Sequence, residues 1–516
     1  MNMAIVTTEQ ELRDAISASD PQIIIQNNIA LTLQNTVSYN LEITSNGSVL
    51  SWAGPENQIM FSVMDGGSLT IGDIILDGQG KYIILVNVAA SAFVMNEGAV
   101  LQNVSTNSAN RAVRVGLATD VSLGGTFVMN GGLITGVMLD AAVSCTGGTM
   151  IMNGEAAIAG NQAYGIALQS SILTMTGNSR ISGNTAARPG AGILAFDHAV
   201  INMGMSAGDA PRISDNRSID GYSGGIYLSD GSVLNMDYGA AITGNRAATL
   251  AGGVGISTGA LNMSGNAVIS GNSTQAGGGG IFGTAGARIT MAGHAAVRDN
   301  EVADHDGMGG GIYLQQDGTI LTMGGAASLD RNRAGLGGGV YLRAGTRLIL
   351  GEQESDGPLL TDNTASVSGG GIYIDAGGTA AMTGQTRLAG NTAQTAGAGI
   401  YNIGTVSLAG SVNILDGLYY NSQVFAPVID GPLTAATVRL ESSDYMAPEQ
   451  MPVVAAVKGS EYTALSAADS RAFIPPDTFA ADTPVYRNRE LDEVVIGFVL
   501  RINRASLSLI KMQTLG

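Results

Sequence analysis

The chain is poor in charge, in aromatic residues and in cysteine. Only 13% of its 516 residues are charged and 5% are aromatic, and Cys145 is the one cysteine. A single cysteine excludes a framework of intrachain disulfides. Cys145 lies in the strand-like run AAVSCTGGTM, so we expect a small buried residue rather than a nucleophile. Because 45% of the residues are hydrophobic, the chain can build a core and disorder is not expected.

Positive charge is also scarce. Lysine and arginine number 24 against 42 acidic residues, which gives a formal net charge of −18. This balance argues against electrostatic binding of DNA, RNA or an anionic membrane. No apolar run of about eighteen residues predicts a transmembrane helix. The start, MNMAIVTTEQ, lacks the basic region and apolar core of a signal peptide. We therefore expect neither a signal nor an anchor in this chain.

The chain has an excess of glycine, 74 residues, and a repeat with a period of about thirty residues. Each repeat has three elements: a hydrophobe-x-x-Asn phrase, a Gly-hydrophobe phrase such as GGIYLS, and a Leu-x-Met phrase. The asparagines are Asn161, Asn184, Asn216, Asn245, Asn272, Asn300, Asn332, Asn363 and Asn391. The methionines are Met175, Met203, Met236, Met263, Met291, Met323 and Met382.

These elements alternate apolar and polar residues with period two, which is typical of short strands. The sequence therefore predicts an all-β fold, a right-handed single-stranded parallel β-helix with three short strands per coil. Leucine, isoleucine and methionine are expected to fill its interior, and asparagines to bond to one another along stacked turns. Glycine-rich connections of this length leave no room for crossover helices, which excludes a doubly wound α/β fold.

Three regions are expected along the chain. Residues 1–40 form an N-terminal cap and first strands, including an amphipathic helix that Thr8 and Glu11 begin with a capping box. Residues 41–411 form the coils. Residues 412–516, where proline replaces the glycine repeat, form irregular final coils or a β-rich C-terminal cap that protects the open edge.

The two phrases together, as at Ile213–Asn216 and Gly224–Ile226, resemble the repeats of polymorphic outer-membrane proteins and related β-helical adhesin-like proteins of bacterial surfaces. The resemblance covers residues 69–410. It implies an extracellular or cell-surface, adhesin-like module without catalytic activity, whose partner is a surface glycan or a host or cell-surface protein. We expect a monomer rather than an oligomer.

Two alternatives remain open. The run ILDGQG at residues 75–80 resembles a coil phrase of polysaccharide-degrading β-helices, which implies a lyase or glycoside hydrolase of the pectate-lyase-like type. Its site would lie before Gly160 or after Val412. A glycosidase needs paired carboxylates, and Asp73 and Asp77 are the local pair, although a strand-end turn accounts for Asp77 as well. The other alternative is a structural stalk.

An aromatic stripe follows one strand face that we expect to be turned outward and exposed. In register it reads Tyr227, Gly255, Phe282, Tyr313, Tyr341, Tyr373 and Tyr401, and polar residues such as Gln315, Arg343 and Asp375 lie two positions further along. Aromatic faces beside hydrogen-bonding groups suit sugars, so these residues are the predicted ligand surface. The alternative is that stacked tyrosines only stabilise the sheet.

One enlarged acidic turn, DNEVADHDG, is the candidate metal site. Asp299, Glu301, Asp304 and Asp306 could supply oxygen ligands to Ca²⁺, although the spacing is not that of an EF-hand. No other cofactor is expected.

Overall fold

The structure is a computed structural model that describes residues 3–106, 111–116, 120–351, 356–441, 453–480, 482–488, 491–497, 500–502 and 509–511. The chain divides into two compact units, Met1–Ser273 and Thr274–Gly516. In each unit short strands pair in parallel with their counterparts one coil further on. The predicted all-β parallel β-helix with three strands per coil is confirmed in both units.

In the first unit the three strands of each coil belong to three sheets. We call them the methionine sheet, the asparagine sheet and the stripe sheet, after the residues that repeat in or directly after their strands. The methionine sheet contains Met3–Val6, Gln22–Ile25, the start of Asn40–Trp52, the start of Ser68–Tyr82, Ala92–Met95, Thr126–Met129, Thr149–Met152, Ile172–Met175, Val200–Met203, Val233–Met236 and Ala260–Met263. The asparagine sheet contains Ile29–Leu31, the ends of the two long strands, Val100–Ser105, Leu133–Thr135, Ala157–Ala159, Arg180–Ser182, Arg212–Ser214, Ala241–Thr243 and Val268–Ser270. The stripe sheet contains Asn35–Val37, Ile59–Val63, Ile84–Val88, Val113–Val115, Met138–Thr146, Gln162–Gln169, Ile193–Phe196, Ile226–Leu228 and Val254–Ser257.

The second unit repeats this arrangement. Its methionine sheet contains Arg288–Met291, Ile320–Met323, Arg347–Leu350, Thr379–Met382, Thr405–Gly410, Val428–Leu433 and Val453–Lys458. Its asparagine sheet contains Ala296–Arg298, Ser328–Asp330, Leu359–Thr361, Arg387–Ala389, the start of Asn413–Tyr420, Thr437–Leu440 and Phe473–Ile474. Its stripe sheet contains Ile281–Thr284, Ile312–Leu314, Val340–Leu342, Ile372–Ile374, Ile400–Asn402 and the end of Asn413–Tyr420.

A fourth, very short ladder follows the asparagines, and the sequence analysis did not predict it. Its strands in the first unit are Thr185–Ala186, Arg217–Ser218 and Arg246–Ala247, and Arg246 pairs with Ser273 of Ser273–Thr274. In the second unit they are Glu301–Val302, Arg333–Leu336, Thr364–Ser368 and Thr392–Ala393. Two paired residues are too few to show a periodic pattern, so this ladder leaves no alternation in the sequence.

Antiparallel pairing appears near the end of the second unit. Glu493–Ile496 pairs antiparallel with both Val453–Lys458 and Val485–Asn488, and Leu500–Ile502 pairs with Leu509–Lys511. The remaining short elements are a helix at Ala467–Arg471 and 3-10 turns at Val121–Leu123 and Gln423–Phe425. An added antiparallel strand leaves a parallel edge less open to pairing with another chain.

The N-terminal helix α1, Glu9–Ser17, forms as predicted. The Thr8 hydroxyl accepts a hydrogen bond from the Glu11 amide at 3.3 Å, and the Glu11 carboxylate accepts one from the Thr8 amide at 3.2 Å. Leu12 is among the buried residues of the helix. On the solvent side, Glu9 accepts bonds from the Thr32 amide and hydroxyl at 2.7 and 2.9 Å. The helix is therefore tied to the first coils by both packing and hydrogen bonds.

The interior follows the predicted alternation. In Val233–Met236, Leu234 and Met236 are buried, while Val233 and Asn235 are partly exposed. Every methionine of the repeat is at most 1% exposed: Met175, Met203, Met236, Met263, Met291, Met323 and Met382. The methionine column is therefore core packing, in which a flexible side chain fills the space between coils.

The repeated asparagines form a buried hydrogen-bonded ladder within each unit. The side-chain oxygen of Asn216 accepts two hydrogen bonds from Asn184, one from the backbone amide at 3.0 Å and one from the side-chain nitrogen at 2.9 Å. The side-chain nitrogen of Asn216 donates to the Ile181 carbonyl and to Asn245, both at 3.0 Å. Each carboxamide thus uses two acceptor and two donor positions, and buried polar groups are stable only when paired in this way.

In the second unit the ladder ends on a carboxylate. Asn391 donates its amide and its side-chain nitrogen to Asp416, at 3.0 and 2.8 Å, where an earlier coil would offer an asparagine. Glu441 has the same role for the glycine turn, since it accepts from the amides of Gly397 and Ala398 at 2.8 and 3.2 Å. An ionised carboxylate has no donor of its own and therefore needs no acceptor in the next coil. It can accept the last hydrogen bonds of a ladder and end it.

We predict that Asn216→Ala lowers the free energy of unfolding by about 3 kcal/mol, because several buried groups each lose a partner at a cost of about 1–3 kcal/mol. The control is Asn235→Ala. Asn235 lies in an outward ladder between Asn202 and Asn262, joined by bonds of 2.9 Å, where water can replace it. Urea unfolding of both variants tests the difference. Equal losses would contradict a special role for the buried ladder.

Candidate functional site

The aromatic stripe of the second unit is in register, as predicted. The rings of Tyr341 and Tyr373 are 4.8 Å apart and 6° from parallel, and those of Tyr373 and Tyr401 are 4.8 Å apart and 16° from parallel. Tyr401 stacks in turn on Tyr419, at 4.9 Å and 9°. The sequence analysis missed Tyr419 because it lies in NILDGLYY, where the glycine phrase has ended. The pairing Tyr401↔Tyr419 brings it into the column.

The other end of the column packs differently. Phe282 and Tyr313 are tilted by 47° at 5.2 Å, and Tyr313 meets Tyr341 edge to face, at 85° and 5.5 Å. These three rings are only 8%, 3% and 6% exposed. The expectation that the whole stripe is an exposed face is therefore wrong for Phe282, Tyr313 and Tyr341. Tyr227, Tyr373, Tyr401 and Tyr419 are partly exposed.

The glycine turns bring backbone close to the column. Gly278 and Gly369 both have positive φ, +65° and +72°, and a Cβ on either would lie 2.9 or 2.8 Å from the Cβ of Phe282 or Tyr373. Only glycine allows this conformation at so close an approach. The turn that precedes each stripe strand thus packs against the base of its aromatic residue.

The predicted polar neighbours contact the ring hydroxyls. Arg343, which is exposed, donates to the Tyr313 hydroxyl at 3.5 Å, and the Tyr341 hydroxyl donates to Asp375 at 3.3 Å. Gln315 is partly exposed. Burial raises the pKa of Tyr341, and the nearby Asp375 carboxylate raises it further, because both disfavour a phenolate. Burial likewise raises the pKa of Tyr373 to about 12.

The four carboxylates of the acidic turn make different contacts. Asp299 is paired with Arg331, whose guanidinium donates to both carboxylate oxygens at 2.8 and 3.1 Å. Glu301 lies in the short ladder opposite Arg333, and Asp304 and Asp306 are exposed. Within the described ranges, no group of three or more His, Cys, Asp or Glu side chains could hold a metal ion. Asp299, Glu301, Asp304 and Asp306 are therefore not part of such a group, and the calcium site stays a prediction.

In the early coils, Asp77 of the candidate carboxylate pair Asp73 and Asp77 makes hydrogen bonds within the fold. Asp77 is buried and accepts from the Gln79 amide at 2.8 Å and from the side chains of Gln102 and Asn103, each at 2.9 Å. A carboxylate that accepts from three donors holds the turn that follows it in one conformation. This geometry agrees with the strand-end reading of Asp77.

The sequence analysis missed a partly buried charged cluster in the same irregular coils. Arg111 pairs with Asp140 at 2.9 Å, and Arg114 donates to the Asn87 side chain at 2.7 Å. Burial lowers the pKa of both arginines and raises that of Tyr164 to about 12. These residues are more than twenty positions apart in most cases and meet only because coils stack, so no local motif announces them.

No protein family, no curated protein and no solved structure matches the chain. The structure supports the parallel β-helix that the repeat phrases predict, and none of these comparisons supports the resemblance to outer-membrane and adhesin repeats. In the part of the chain that the structure describes, no helix is both long and apolar enough to cross a membrane.

We predict that the stacked tyrosines titrate late. The pKa of Tyr373 is raised from 10.0 to about 12, so folding favours its protonated form. The stability that this provides is full below pH 10 and is lost as the pH rises through about 12. Tyrosinate absorbance against pH, in native and urea-unfolded protein, measures the difference. Tyr373→Phe should remove one late step from the native curve, and a native curve with a single step near 10 would contradict the partial burial of these rings.

Proposed function

We propose that the protein is a non-catalytic, adhesin-like β-solenoid of the extracellular space or cell surface that binds carbohydrate. The proposed ligand surface is the open tyrosine row, which consists of Tyr373, Tyr401 and Tyr419. The predicted positions Phe282, Tyr313 and Tyr341 precede Tyr373 in the same column. Their rings are buried, so we do not propose that they touch the ligand.

One observation carries the proposal: three partly exposed tyrosines repeat at ring spacings of 4.8 and 4.9 Å. Tyrosine combines an apolar ring with a polar tip, which suits ligands that have both apolar and hydroxyl surface. A row of hydroxyls at regular spacing can donate to and accept from a ligand that is itself a repeating chain. Asp375, partly exposed beside the row, adds a strong acceptor.

Two alternatives are kept as outcomes of the test. The partly buried ion pair Arg111–Asp140 lies before Gly160, the region to which the enzyme interpretation points. The buried rings of Tyr313 and Tyr341, which meet edge to face, favour the stalk interpretation, since adjacent aromatic pairs stabilise a sheet by about 0.2–1 kcal/mol each.

The test is retention on a panel of immobilised glycans, with product analysis of the same samples. We predict that changing Tyr373, Tyr401 and Tyr419 together to Phe weakens retention about tenfold or more, because each lost hydrogen bond is worth about 0.5–1.5 kcal/mol. Phenylalanine keeps the stack, so the unfolding midpoint should change little.

Two single variants are the controls. Tyr341→Phe removes a buried hydroxyl, and Tyr227→Phe removes a partly exposed hydroxyl of the first unit whose strand neighbour is Gly255 rather than an aromatic residue. Neither should change retention. Sugar products would favour the enzyme, and the absence of retention on every glycan would favour the stalk. Equal retention by the triple variant and the native protein would refute the open tyrosine row as the ligand surface.

A further inference from the structure

The short ladder of the first unit places two exposed arginines side by side. Arg217 and Arg246 are in register on strands of adjacent coils, which are about 4.8 Å apart. Two like charges on neighbouring strands repel each other. Strand pairing does not require arginine at this position, because Thr185 and Ser273 occupy it one coil before and one coil after. Arg217 and Arg246, the arginine pair, therefore oppose folding unless a negative charge lies between them.

The second unit supplies that negative charge from its own residues. Glu301 is in register with Arg333 in the short ladder. Two positions earlier, the Asp299 carboxylate accepts from the Arg331 guanidinium at 2.8 and 3.1 Å. Among the residues that the structure describes, neither member of the arginine pair has an ion-pair partner. The first unit thus leaves open a position that the second unit fills with a carboxylate.

The backbone under the arginine pair is fixed by the coils on both sides. The Arg217 amide donates to the Asn184 carbonyl and the Arg246 amide donates to the Asn216 carbonyl, both at 2.8 Å. Gly224 packs on the same backbone, since a Cβ there would lie 2.5 Å from the Arg246 nitrogen. The two guanidinium groups therefore project from rigid positions, and a ligand does not have to order the chain that carries them.

The charges around the pair are divided between two sides of the coils. The arginines of residues 155–274 lie in asparagine-sheet strands, in the short ladder or in the connection after it: Arg180, Arg188, Arg212, Arg217 and Arg246. Most acidic residues of the same stretch lie in turns on either side of the methionine sheet: Glu155, Asp197, Asp209, Asp230 and Asp237. Glu155 is 3.6 Å from Arg180.

Asp215 and Asp220 are the acidic residues on the side of the arginines, and both are exposed. The Asp215 carboxylate lies over the next coil, where a Cβ on Gly244 would be 2.6 Å from its Oδ1 atom. Neither carboxylate forms an ion pair with a described arginine. Two carboxylates beside five arginines leave this side of the first unit positive, although the whole chain has a formal net charge of −18.

Two guanidinium groups on neighbouring coils fit an anion with more than two oxygens. Each guanidinium presents a planar fork of donors that matches two oxygens of one group. A carboxylate has two oxygens, so a single fork can satisfy it. A sulfate or phosphate ester has three free oxygens and can accept from both forks. The partly exposed hydroxyls of Thr185 and Ser273 lie on either side of the pair and add donors to the same column.

We infer that the arginine pair binds a sulfate or phosphate ester group of an acidic polysaccharide. The choice of a polysaccharide rests on the proposed carbohydrate-binding function, whereas the choice of the ester group rests on the arginine pair alone. The pair lies in the first unit and the open tyrosine row in the second, so each can be removed without the other.

The first test compares one polymer in four forms: plain dextran, dextran sulfate, dextran phosphate and carboxymethyl dextran. The three charged forms are matched in length and total charge, and the Kd of each fluorescently labelled chain is measured at one ionic strength. One of the two ester forms should bind about tenfold or more tightly than the carboxymethyl form, because it accepts from two forks instead of one. The better of the two identifies the ester. Equal binding of all three charged forms would overturn the inference.

Variants locate the binding. Arg217→Gln and Arg246→Gln should each weaken binding of the preferred ester form about tenfold or more, because each removes charged hydrogen bonds. Their unfolding midpoints should stay the same or rise, since repulsion is removed. The control is Arg288→Gln, which removes the same charge from an exposed arginine whose register neighbour is Ile320. It should leave binding unchanged, and an equal loss in this control would overturn the inference.

A charge-matched variant tests the forks themselves. Changing Arg217 and Arg246 together to Lys keeps both positive charges but removes the planar donors. The preference for the ester over the carboxymethyl form should then disappear, and a preserved preference would contradict binding by two forks. The triple Tyr→Phe variant of the open tyrosine row should keep its affinity for the ester form. Failure of the row therefore shows in glycan retention, and failure of the arginine pair shows in the dextran series.

Discussion

Hydrogen bonding between successive coils is the constraint on which the rest of the structure depends. A coil has strands too short to satisfy their own backbone groups, so every coil relies on the one before and the one after. The asparagine ladder shows the consequence for side chains: Asn216 has four hydrogen-bonding positions, and neighbouring coils fill all of them. A residue in such a ladder can therefore be replaced only if its partners in the neighbouring coils are replaced as well. This requirement keeps the same residue type at the same position of successive coils, which is the repeat seen in the sequence.

The same constraint makes the ends of a ladder a problem, and the second unit solves it with charge. Asp416 and Glu441 accept from amides whose counterparts in earlier coils donate to an asparagine side chain or to a backbone carbonyl. Burial raises the pKa of Glu441, and its bonds to Ala398 and Gly397 oppose that rise by favouring the carboxylate. At the other end of the chain, α1 uses Glu9 in a similar way toward Thr32. Acidic residues thus accept the hydrogen bonds at the ends of ladders. This structural role accounts for some of the acidic residues in the chain without an acidic binding surface.

Much of the fold could be predicted from the sequence, and the limits are physical. Alternation predicts which face of a strand a residue occupies, so the buried Met236 and the register of Tyr341 with Tyr373 followed from it. Alternation does not predict what covers the outer face. Tyr313 points away from the interior and is still only 3% exposed, because neighbouring rings enclose it. The pair Arg111–Asp140 left no local signal either, since its members meet only through stacking.

A repeat built in this way leaves its turns as the place where function can vary, and even the turns obey the register. In the first unit the eight residues 204–211 lie between the bond from the Gly204 amide to the Met175 carbonyl, 3.1 Å, and the bond from the Arg212 amide to the Ser179 carbonyl, 2.9 Å. Within this turn the Asp209 carboxylate accepts from the amides of Met205, Ser206 and Gly177. A turn that is longer than its neighbours therefore leaves the pairing of the strands on either side intact, so its residues can vary without disturbing the ladders.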